Sequence, residues 1–166
     1  WQVLPNQFTT PTGKKIEVDK KNPDAAMIPV DLAREVIMIG HDSGHAQLCQ
    51  LWEEQLANYN TLMRREVGRK NDKGQTQWTD PQLLYITTLH RMTIHLAAGK
   101  LRVEDKNGEQ HVFLEPIDVT KGDACPDERR KRVRESILEF LKRNGTSVAA
   151  GTAPVPGLAP AMPVSQ

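Results

Sequence analysis

The sequence predicts a mainly α-helical fold: a small bundle of three to four helices with one β-hairpin, an extended N-terminal arm and a Pro/Ala-rich C-terminal tail. Three observations predict it. Apolar residues recur at three-to-four spacing over long stretches, the pattern of helices that bury one face. Helix punctuation bounds these stretches, with proline at the starts and glycine at the ends. One Asn-Gly pair lies between two short β-prone runs, the strongest short hairpin signal.

Residues 1–28 read as the arm. Pro23 and the turn Thr12-Gly13 punctuate it, and Ile16 and Val18 alternate with charges, so a short strand over 15–18 is expected. Residues 29–144 read as the helical domain. Over 30–67, Pro29 sets up the start, and Asp31 and Glu35 put negative charge in the early turns. Leu32, Val36 and Ile39 recur at helical spacing, followed by Leu48, Trp52, Leu56, Tyr59 and Met63. The weak point is 40–44, where two glycines and a serine fall together, and a kink or a junction of two helices is expected there.

A polar loop follows over 69–77. Thr79-Asp80-Pro81-Gln82 then has the form of a capping box, with Trp78 and Leu83 at the staple positions. The helix it opens runs to about Ala98, and Gly99 stops it; its expected stripe is Leu83, Ile86, Leu89, Thr93, Leu96 and Ala97. The hairpin pairs residues 101–104 with 111–114 around Asn107-Gly108. Cys125-Pro126-Asp127-Glu128 opens the last helix, whose stripe is Val133, Ile137, Leu138 and Leu141, and Asn144-Gly145 closes it. Residues 145–166 are uncharged and rich in Pro and Ala, so this tail is expected to be extended or without stable structure.

Composition narrows the function classes. Twenty-two basic residues balance 21 acidic ones, for a formal charge of +1. No global field recruits nucleic acid, and the one basic run, 129–134, is interleaved by Glu135 and Glu139 as on a solvated helix face, so nucleic acid is not an expected partner. No apolar run approaches the ~20 residues of a membrane span. The chain begins with Trp1, which suggests a processed form. Together with the even cysteine count, this predicts a Cys49–Cys125 disulfide and a periplasmic or secreted location. The bridge would close a long loop and stabilise by about 4 kcal/mol in the chain-entropy model.

Two constellations carry candidate sites. His41 and His45 share a helix face, and with His90 or His95 they could hold zinc or copper; His90 and His95 are five apart and cannot both face one ion on a regular helix. Gly40 and Gly44 form a flat groove for close approach of another helix, either a neighbour in the chain or a partner. The apolar tail residues Pro154, Pro156, Leu158, Pro160 and Met162 are the other candidate partner-binding positions. No nucleophile elbow, phosphate loop, dinucleotide fingerprint or Cys-x-x-Cys pair occurs. The expected function is therefore that of a non-catalytic accessory subunit or interaction module with no cofactor. Its expected partner is a protein, with a membrane-associated complex as one setting. The alternative is a small metal-binding protein built on the histidines.

Overall fold

The structure, a computed structural model, describes residues 4, 6–10, 13–118, 125–153 and 155, with backbone alone at 106, 109 and 110. It is mainly helical, as the sequence predicts. Four long helices, α1 (Val30–Leu48), α2 (Trp52–Gly68), α3 (Asp80–Ala97) and α4 (Asp127–Arg143), are joined by the hairpin β3 (Leu101–Lys106) and β4 (Glu109–Leu114). A smaller hairpin, β1 (Gln7–Thr9) with β2 (Lys15–Glu17), precedes them, and the helical turn α5 (Val148–Gly151) follows.

The junction of two helices offered for 40–44 does not occur: α1 is one uninterrupted helix through it. Gly40 and Gly44 lie where α1 crosses α3, and a Cβ on Gly40 would come within 2.9 Å of the His90 carbonyl oxygen. One on Gly44 would come within 2.8 Å of the Ile94 carbonyl. The glycines are thus contact residues, and packing against α3 offsets their low helix propensity. The chain breaks instead at residues 49–51. There the Leu51 N–H donates to the Ala46 carbonyl (2.8 Å) and the Gln50 N–H to the Gln47 carbonyl (3.0 Å). Gln50 takes φ +57°, and Leu51 and Ala46 are both buried. This is a Schellman ending with its apolar contact, formed without the customary glycine.

The Leu48–Met63 stripe does not describe α2. Every residue from Ala57 to Met63 is buried, so the helix is covered all round, whereas Trp52, at its start, is exposed. Helices α1, α4 and α5 surround α2, and α3 packs chiefly on α1 while reaching α2 through Thr87 and His90 at Tyr59. Of the polar residues this covering encloses, Thr61 Oγ1 has no hydrogen-bond partner, whereas others are paired: Asn58 donates to the Ile39 carbonyl (3.1 Å) and to Ser43 Oγ (3.0 Å). Glu66 accepts from Arg65, Arg69 and the Trp78 indole.

Helix α3 opens with the predicted capping box, Thr79 N–H to Gln82 Oε1 (3.0 Å) and Gln82 N–H to Thr79 Oγ1. It ends with Gly99 at φ +66° in a second Schellman motif, the Lys100 N–H donating to the His95 carbonyl (2.7 Å). Of its expected stripe, Leu96 is 61% exposed; His90, Ile94 and His95 are buried with Ile86 and Thr93. The hairpin has the expected turn, with positive φ at Asn107 and Gly108, and pairs Leu101 with Leu114 and Val103 with Val112. In α4, Phe140 replaces Leu138 in the buried stripe; Leu138 is 43% exposed. Gly145 at φ +66° ends α4 in the same way as α3.

Both chain ends differ from the free extensions expected. Strand β1 supplies β2 with a partner, pairing Phe8 with Ile16, and Ile16, Val18, Leu4 and Ala26 form an apolar cluster with Leu84 of α3. At the other end, Ser147 caps α5, and Gly151 packs so closely on α2 that a Cβ would lie 2.6 Å from that of Ala57. Asn60 donates to the Gly151 carbonyl (3.1 Å), Arg64 donates to the Gly151 and Ala153 carbonyls, and Val155 is buried in the main core. The helical body therefore extends to residue 155. Composition predicts no structure here because the docking surface, the Ala57–Arg64 side of α2, is not local in sequence.

Candidate functional site

Cys49 and Cys125 are joined by a disulfide, with Cα atoms 5.0 Å apart. It ties the α1–α2 junction to the start of α4. Two polar contacts continue the attachment: Ser136 donates to Asp42 of α1 (2.6 Å), and Arg134 to Glu54 of α2 (2.7 Å). The bridge occupies the Cys49 sulfur, so no thiol nucleophile faces His45.

The four candidate histidines do not converge. His90 lies in the core, its Nε2 3.1 Å from Ser43 Oγ and its ring 5.0 Å from that of Tyr59. Burial pushes its pKa down to about 4, so the imidazole is neutral at physiological pH. Ser43 is also fully buried and accepts from Asn58, which makes the Ser43–His90–Asn58 group an internal bracket between α1, α2 and α3. His95 is held by its Nδ1 at 3.0 Å from the Glu115 carbonyl oxygen, where it joins α3 to the end of the hairpin. Burial, with a smaller contribution from Arg91, lowers its pKa despite that bond.

His41 and His45 do come together. Their Nε2 atoms are 3.1 Å apart on the outside of α1, with rings edge to face at 4.4 Å. Burial first, then His41 and Arg129, lower the pKa of His45, while Asp42 opposes them. The His45 Nδ1 is buried and has no hydrogen-bond partner. The site expected from His41, His45 and either His90 or His95 is not formed, since His90 lies against Ser43 and His95 against the Glu115 carbonyl. Among the described residues no group of three or more His, Cys, Asp and Glu side chains is placed to hold a metal ion.

The Gly40–Gly44 groove is filled by α3, so that face of α1 is closed to a partner helix. Of the tail positions, Pro154, Pro156, Leu158, Pro160 and Met162 lie outside the described residues. The sequence reading missed the opposite side of α1. Val30 (65% exposed), Ile37 and Met38 (70% exposed) project to solvent and lead toward His41. At about 100° per residue, Val30, Ile37, Met38 and His41 fall within a single quadrant or so of the helix. The signal was present: these apolar residues lie off the Leu32–Val36–Ile39 stripe, so α1 is apolar on two sides. Among the described residues, no helix is long and apolar enough to cross a membrane. No protein-family model matches the chain, and no curated protein or solved structure matches it either.

Proposed function

We propose that this chain is a non-catalytic helical protein of an oxidising compartment, periplasmic or secreted, that serves as an accessory subunit or interaction module for another protein. The exposed apolar side of α1 carries the reading. Single exposed apolar residues are ordinary on a protein surface. Val30, Ile37 and Met38 are instead grouped on one side of a helix whose other side is fully committed to α2 and α3. The disulfide supports the compartment, since such bridges persist where thiols are not kept reduced. The described parts of the arm and tail are already docked on their own body, which leaves the α1 face and the residues beyond 155 as the partner-binding elements.

A photo-crosslinker at Arg34, which stands between Val30 and Met38 on this face and is exposed, tests the reading in extract of the source cells. The expected result is one defined protein adduct that disappears when Val30 and Met38 are both changed to Glu. Both positions are exposed, so the double variant keeps its fold, checked by circular dichroism. An adduct that persists in the variant, or no adduct, contradicts the reading.

A further inference from the structure

The His41–His45 pair has the geometry of a two-point clamp. Nitrogen ligands sit about 2.0–2.1 Å from zinc or copper, so two of them meeting at an ion with an angle between square and tetrahedral are about 2.9–3.4 Å apart. The two Nε2 atoms stand 3.1 Å apart, on the one face of α1 where residues four apart are neighbours. We propose that His41 and His45 together bind one borderline divalent transition-metal ion, copper(II) foremost, through their two Nε2 atoms, with solvent filling the remaining positions.

The surroundings sharpen the proposal. His41 is exposed, so an ion and its waters can reach the pair. Asp42 Oδ1 lies 3.9 Å from His41 Nδ1, on the side away from the clamp, too far for a hydrogen bond, so the carboxylate favours a proton on Nδ1 through its charge alone. Ser136 holds the Asp42 carboxylate through its other oxygen. Between the two rings one N–H separates the nitrogens; with His41 protonated on Nδ1 that N–H belongs to His45, and when an ion enters its proton moves to His45 Nδ1, a buried position with no hydrogen-bond partner, at a cost that the metal bond offsets. Arg129 lies close enough to act on His45, and its charge opposes a cation that the Asp42 charge favours. His90 and His95 take no part, being held by Ser43 and Glu115. Copper(II) ranks first because it stands highest among the first-row divalent ions for such a nitrogen site. This site is independent of the partner-binding reading.

Titration of the full oxidised chain with copper(II) chloride in a buffer without amines tests it, read by calorimetry and by electron paramagnetic resonance. The expected result is one equivalent bound, with a spectrum showing two imidazole nitrogens. His41→Gln and His45→Gln should each weaken binding at least tenfold and leave one nitrogen in the spectrum. His111→Gln, which changes an exposed histidine on the hairpin, should leave both readouts as they are. His41 lies on the surface, so its variant keeps the fold even if His45→Gln does not. Absence of a bound equivalent, or unchanged affinity and spectrum in His41→Gln, overturns the proposal.

Discussion

Removing the Glu66 carboxylate would leave the Trp78 indole N–H without its acceptor and take one partner each from Arg65 and Arg69. The carboxylate side chain is fully buried and accepts from Arg65 Nε (2.7 Å), Arg69 (3.1 Å) and Trp78 Nε1 (2.7 Å). Arg65 also grips Glu35 with both terminal nitrogens, at 2.6 and 2.8 Å, which ties α2 to α1. Burial alone would lower the Arg65 pKa, but the bonds to Glu35 and Glu66 raise it. Breaking a buried charge network by removing one partner costs about 3–5 kcal/mol. Glu66→Ala is therefore expected to lose that much stability in urea unfolding; a loss under 1 kcal/mol would show that the network is not a structural element. His90 gives a second prediction at this scale. Its folded-state pKa, about 4, lies below the unfolded value of 6.5. Between those values the unfolded chain binds more protons, so stability rises with pH, and acidification from 6.5 toward 4 removes it. The shift corresponds to about 3 kcal/mol. His90→Gln should flatten that part of the pH–stability profile, and an unchanged slope would place the acid sensitivity elsewhere.

Helices α1 and α3 meet at glycines because nothing larger fits between their backbones. Alanine at Gly44 would gain roughly 1 kcal/mol of helix propensity. It would also put a methyl group 2.8 Å from both the Ala97 Cβ and the Ile94 carbonyl oxygen, and backbone does not yield as a flexible side chain does. Overpacking of this kind costs about 1–3 kcal/mol, so Gly44→Ala is expected to lower the thermal midpoint; a rise would mean the helices are free to separate. Gln50 offers the opposite test. It holds φ +57° at the α1 terminus, where glycine carries no Cβ penalty. Gln50→Gly should relieve part of the roughly 1–2 kcal/mol that a side chain costs in this region and raise the midpoint of the same melt; a lower midpoint would show that the interactions of Gln50 outweigh that relief. These two sites also explain what could be read in the sequence. Helix ends marked by Gly99 and Gly145 were legible because glycine is the usual left-handed residue at that position. The end at Gln50 was not, and the glycines at 40 and 44 pointed to a break there because their reason for being small, the α3 backbone, lies some 50 residues away in sequence.

For the molecule as a whole, local signals gave the helices, the capping box, the Asn107–Gly108 turn and the cysteine pair, and long-range packing decided the rest. A single stripe could not describe α2, because burial on every side has no periodicity. Leu96 and Leu138 fit their helical spacing yet face solvent, and His90 and His95 fill core positions that a polarity pattern assigns to the surface. The pairing of β1 with β2 and the docking of α5 on α2 turn both proximal ends into parts of the body. The candidate site was half legible: His41 and His45 do meet, as their spacing suggested, whereas their expected third ligand is held in the core by Ser43. In the proposed function, the disulfide-pinned body offers the Val30–Ile37–Met38 side of α1 as the partner-binding face.

The native mass of the chain tests that conclusion most directly, measured by size-exclusion chromatography with light scattering on non-reduced extract of the source cells. The account predicts that the chain elutes in a defined assembly well above its own 18.6 kDa, and that the purified chain alone elutes at that mass. Elution from the native extract as a lone 18.6 kDa species would contradict it.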